Sequence, residues 1–134
     1  MNYQKIIQAG KIAKEVTDYA KSIIKKDMPL LEIAEKIEAK IIELGAKPAF
    51  PVNLGINEVA AHFTPYSDDD TLARGLLKVD IGVTVDGWIA DTAFSMNLEN
   101  LEENQKLIKA SEQALEQALE IYREIGNRNQ SCQG

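Results

Sequence analysis

Lys78-Val-Asp-Ile-Gly-Val-Thr-Val-Asp-Gly-Trp-Ile-Ala-Asp-Thr-Ala-Phe94 holds two apolar runs on either side of Asp86-Gly87. That dipeptide closes two-residue hairpins because both positions tolerate positive φ. Val79 to Val85 and Trp88 to Met96 therefore read as antiparallel strands. If Val85 pairs with Trp88, partner numbers sum to 173, which sets Asp80 opposite Ala93 and Asp91 opposite Gly82. Strand periodicity of two then puts both carboxylates on one face, as diagonal neighbours roughly 5 to 8 Å apart at Cβ. Both can reach one cation or a pair of cations. The bland alternative is a hydrogen-bonded structural pair, since two like charges on one face repel unless a proton or a cation intervenes. Asp91 sits in a mostly apolar run, which argues against casual solvation of its carboxylate.

Composition sets the frame around that hairpin. With 134 residues, 45% hydrophobic and 27% charged, the chain is of ordinary globular make-up. It can bury roughly two thirds of its unfolded surface. A net charge of −6 disfavours nucleic acid and anionic membranes as partners. No stretch reads as a signal peptide or a membrane span, so a cytoplasmic protein is expected. Cys132 is the only cysteine. An intrachain disulfide is thereby excluded, and a polar tail suits a free exposed thiol better than a nucleophile.

Upstream, Ile6, Ile7, Ala13, Val16, Ala20, Ile23 and Ile24 recur at helical spacing and predict a first amphipathic helix over about 4–25. Pro29 suits the first turn of a second helix with Leu30, Ala34, Ile37, Ile41 and Leu44 buried and Gly45 as its stop. Pro48 and Pro51 mark an extended stretch leading to short strands near Leu54–Ile56 and Val59–His62. Asp68-Asp69-Asp70 reads as a solvated turn, lacking the Gly and Glu spacing of a calcium loop. Asn100 and Glu103 resemble a capping box opening a last helix that runs to about Ile125, with Gly126 beyond it. Residues 1–126 are expected to form a single αβ domain, and 127–134 a frayed polar tail.

Two long segments carry a family resemblance. Lys78-Val-Asp-Ile-Gly-Val, followed by Asp86-Gly-Trp-Ile-Ala-Asp-Thr-Ala93, resembles the strand pair that bears the first two metal ligands of methionine aminopeptidases. Lys47-Pro-Ala-Phe-Pro-Val-Asn-Leu-Gly-Ile-Asn-Glu-Val-Ala-Ala-His-Phe-Thr-Pro65 is similar to the segment that marks their type II, archaeal and eukaryotic, branch. The resemblance implies an α+β fold, half of a pita-bread catalytic domain, with an antiparallel sheet and helices packed on one face. It also implies the chemistry of a metallo-exopeptidase, a hydrolase that removes N-terminal methionine from nascent proteins and peptides.

By the same resemblance Asp80 is a terminal and Asp91 a bridging metal ligand, holding two divalent ions, Mn, Co, Fe or Zn. His62 becomes the catalytic, substrate-side histidine and Phe50 a wall of the methionine pocket. Read without the family, His62 is a satisfied turn residue and Phe50 is core. The remaining family ligands, one His and two Glu, have no counterpart, because His62 is the only histidine. Gln4-Lys-Ile-Ile-Gln-Ala-Gly-Lys-Ile-Ala13 also aligns at an offset of 101 with Gln105-Lys-Leu-Ile-Lys-Ala-Ser-Glu-Gln-Ala114, five identities in ten. In a fold of two related halves, this makes residues 101–125 the first helix of the second repeat, as in a truncated protein. Weak metal binding, little activity alone and a homodimer are expected. The alternatives are a non-catalytic pita-bread binding module and a self-associating half-protein.

Overall fold

The structure, a computed structural model, describes residues 2–131. It divides into two compact units, Met1–Glu99 and Asn100–Gly134. The span 1–126 expected as one domain covers the first unit and most of the second, and Cys132 lies outside the described residues.

The first unit opens with helix α1, Tyr3–Ile23, capped by the Asn2 side chain, which accepts from the Lys5 amide. Its buried stripe is Ala9, Ile12, Ala13, Val16 and Ala20. Ile7, expected on that stripe, is 56% exposed. The small residues Ala9, Ala13 and Ala20, rather than the larger Ile7, face the interior. Helix α2, Leu30–Glu43, buries Leu30, Ile33, Ala34, Ile37 and Ile41. Pro29 stands just before the first turn as the cap residue. Gly45 takes φ +79°, and the Ala46 amide donates back to Ile41 O, closing the helix as a Schellman turn does.

Four strands form one antiparallel sheet: β1 Lys47–Pro48, β2 Asn53–Ile56, β3 Leu76–Val85 and β4 Trp88–Asn97. β3 is its centre, pairing with β1 and β2 along one edge and with β4 along the other. Val85 pairs with Trp88, Asp80 with Ala93 and Gly82 with Asp91, the register expected from the Asp86-Gly87 turn. The residues Leu77, Val79, Ile81, Val83 and Val85 are buried in one core with α1 and α2, and Ala90, Phe94 and Met96 pack on it. Both helices therefore lie on one face of the sheet. The opposite face carries Lys78, Asp80, Gly82 and Thr84 of β3 and Ile89, Asp91 and Ala93 of β4.

Val59–His62, expected as a strand, is not one. Asn57 takes φ +48° and His62 φ +60°, and the Val59 amide donates to Ile56 O in a tight turn. Left-handed residues at both ends are incompatible with a pleated strand.

The second unit is helix α3, Glu102–Ser131. The helix passes through Gly126 to Ser131, so the expected stop at Gly126 is not found, and residues 132–134 of the expected tail lie outside the described residues. One glycine costs a helix only about 1 kcal/mol relative to alanine, too little to end it among willing neighbours. Asn100 takes φ +56°, outside the extended region that an N-cap uses, so it does not open the helix as the expected capping box required.

Candidate metal centre

Asp80 and Asp91 meet on the open face of the β3–β4 hairpin. Partial burial, then the neighbouring Asp91 charge and a hydrogen bond with that carboxyl, hold Asp80 above the ordinary carboxylate range, and His62 pulls it the other way. Two neighbouring carboxyls are also two hard oxygen donors, and a divalent cation between them would relieve their repulsion. The pair fits part of a metal site. Asp91 itself is exposed, and its immediate neighbours Ala90 and Thr92 alternate onto the other face. Among the described residues, no three of His, Cys, Asp or Glu converge on a common point. His62 is near enough to act on Asp80 electrostatically, but it does not complete a ligand cluster.

Two glycines shape the ground on either side of Asp80. A β-carbon on Gly82 would overlap the Phe50 ring, so the half-buried Phe50 lies on the carboxylate face, beside the residue that pairs with Asp91. On the other side, Gly55 pairs with Lys78 and shares its face. A β-carbon on Gly55 would overlap the Val59 carbonyl, so the 57–61 loop that leads to His62 folds down over β2. Neither glycine stands out in sequence except as a glycine within a strand, the usual sign of a close backbone approach.

The loop is tied at both feet. Asn57 is bonded twice to the start of β3: its amide donates to Leu76 O, and its side-chain oxygen accepts from the Leu76 amide, both at 2.9 Å. Lys78 Nζ donates to Asn57 O at 2.6 Å. Burial lowers the Lys78 pKa, and the Glu58 charge opposes that shift. Beyond His62, the Leu54 amide donates to Phe63 O at 2.7 Å, and the Thr64 hydroxyl lies 3.2 Å from Val52 O and 3.3 Å from Asn53 Oδ1. Sequence reasoning named Phe50, His62, Asp80 and Asp91 as candidates and did not single out Asn57 or Lys78, whose contacts appear only when β2 and β3 are paired.

The model of metallopeptidase family M24 matches residues 4–133. The chain belongs to that family. Among its curated relatives, the methionine aminopeptidase of Pyrococcus abyssi is 53% identical over 92% of this chain and 42% of its own length. That of Methanothermus fervidus is 42% identical over 90% of this chain and 71% of its own length. The chain thus spans about two fifths of the first of these. Of solved structures, methionine aminopeptidase from Rickettsia prowazekii aligns with TM-score 0.75 and 25% identity, over 84% of this chain and 48% of that one. The enzyme from Thermotoga maritima shares the fold, with TM-score 0.77 at 21% identity over 88% of this chain and 52% of that one. A prolidase from Pyrococcus furiosus also shares it, at TM-score 0.64 and 22% identity, over 78% of this chain and 32% of that one. The expected α+β fold, part of a pita-bread domain, is the one this M24 member adopts. As metallopeptidases, M24 proteins work with divalent metal, though no particular ion is indicated here.

Proposed function

We propose that this chain carries the first part of a methionine aminopeptidase catalytic site, serving removal of N-terminal methionine from peptides in the cytoplasm. The observation that carries the proposal is the placement of Asp80 and Asp91 as diagonal neighbours on an open sheet face between Phe50 and the His62 loop. Asp80 and Asp91 would hold divalent ions as oxygen donors. Bound there, such ions activate water and polarise a peptide carbonyl at neutral pH. Phe50 offers an apolar wall for the methionine side chain. His62, exposed at the end of its loop, would donate a hydrogen bond to the peptide group as charge builds on its oxygen. Two carboxylates alone make an open, weak site, so little or no peptidase activity is expected of the chain by itself.

Calorimetric titration with Mn²⁺ tests the reading. Weak binding that disappears in Asp80→Asn and Asp91→Asn is expected. Tight binding of two ions per chain would overturn the incomplete site, and unaltered weak binding in both variants would overturn the carboxylate pair as ligands.

A second reading concerns partners, and the outer edge of β4 favours it. That ten-residue strand pairs only with β3 among the described residues, and Ile89 on the open face is 56% exposed. An unpaired edge is a template for another chain, and a two-fold pair would use one patch twice. We propose a homodimer through this edge. Sedimentation at micromolar concentration should give a dimer, whereas a folded monomer alone would dismiss it.

A further inference from the structure

Lys78 sits two residues before Asp80, on the same face of β3, and directly opposite Gly55. Its stem runs beneath the 57–61 loop, with Cε 3.3 Å from where a β-carbon on Gly55 would stand. Its ammonium reaches past that point to donate to Asn57 O at 2.6 Å. Asn57 is left-handed, at φ +48°, which turns its carbonyl out of the β2–β3 ladder. One side chain of the aspartate-bearing strand thus grips the first residue of the loop that ends at His62. A charged donor on a carbonyl is stronger than a neutral one.

We propose that Lys78 is a positioning residue: by donating to the Asn57 carbonyl it holds the 57–61 loop across the carboxylate face and sets the distance between His62 and Asp80. The bond makes the loop and the ligand strand move as one. Asn57 anchors the loop to the start of β3, and Gly55 supplies the gap into which the Val59 carbonyl descends. Lys78 adds the tie that reaches furthest along the strand toward Asp80. The inference rests on the metal reading only for its purpose, since the tie itself stands on geometry independent of any ion.

His62 is the only histidine, so its two ring C–H resonances are assigned without ambiguity. The test compares the full chain with Lys78→Met, which keeps the stem and loses the donor, and with Lys78→Arg, which restores a donor. Without metal, backbone ¹⁵N relaxation should report Val59, Ala60 and Ala61 as rigid in the parent, mobile in Lys78→Met and rigid again in Lys78→Arg. With Mn²⁺ added to equal occupancy, paramagnetic broadening of the His62 ring should fall severalfold in Lys78→Met and return in Lys78→Arg. A merely stabilising role would lower the unfolding midpoint and leave both readouts alone. Equal loop mobility in all three chains overturns the proposal whatever the metal does. Absence of His62 broadening in the parent, with the relaxation pattern as expected, would instead overturn the metal reading and leave the positioning role standing.

Discussion

The ring of Phe50 rests on the α-carbon of Gly82, in the space a side chain at 82 would fill. The Ala49 amide donates to Gly82 O at 2.9 Å, so the backbone beside the ring is fixed as well. Gly82→Ala must therefore displace an aromatic ring that the neighbouring backbone holds in place. Overpacking of this kind costs about 1–3 kcal/mol. Urea denaturation should show that loss, and the Phe50 ring resonances should shift with it.

Glu38 accepts the Val52 amide at 3.1 Å, bridging α2 to the segment between β1 and β2. Val52 is fully buried, and without Glu38 its N–H is left with no acceptor. Glu38→Ala should cost about 1–3 kcal/mol, and Glu38→Gln less, because the amide oxygen still accepts. Chemical denaturation of the pair of variants checks the order.

Ile37 and Ile42 lie on the same helix, one with no exposure and the other 63% exposed. Ile37→Ala should cost about 2–5 kcal/mol through the cavity it leaves. Ile42→Ala should stay within about 0.5 kcal/mol. Equal losses would mean that α2 packs in another rotation.

Asp80 provides a pH test. Its raised pKa, caused first by burial and then by Asp91, means the folded chain holds a proton that the unfolded chain releases. Stability from this group is therefore present below the ordinary carboxylate pKa and falls as pH rises toward the raised value. In the presence of a chelator, Asp80→Asn should melt higher than the parent at neutral pH, and the gap should close on acidification. Thermal melts across that range decide it.

The hairpin was legible because Asp86-Gly87 fixes both turn and register, so Asp80 and Asp91 could be put on one face by arithmetic alone. The face of α2 was legible too, from Leu30, Ala34, Ile37 and Ile41. The stretch after Ile56 was not. Val59-Ala60-Ala61 is a short apolar run, but the left-handed Asn57 and His62 turn the backbone, and Gly55 leaves room for it to fold back. Those are tertiary conditions, invisible to a pattern of apolar residues. The grip of Lys78 on Asn57 was hidden for the same reason, because the residues are 21 apart and meet only through β2–β3 pairing. Gly126 misled in the other direction, as a break signal that a long helix overrides.

The central place of β3 has a kinetic consequence. It is partner to every other strand, yet only β4 follows it directly in sequence. The β3–β4 hairpin closes through two residues and can form in about 1–10 μs. β1 and β2 must come from upstream across longer loops, with a greater entropic toll before any contact rewards them. The carboxylate face should thus be laid out early in folding, and its flanking loops should dock onto a platform already standing. Substitutions in the hairpin would then slow refolding, while those in the 57–61 loop would chiefly hasten unfolding.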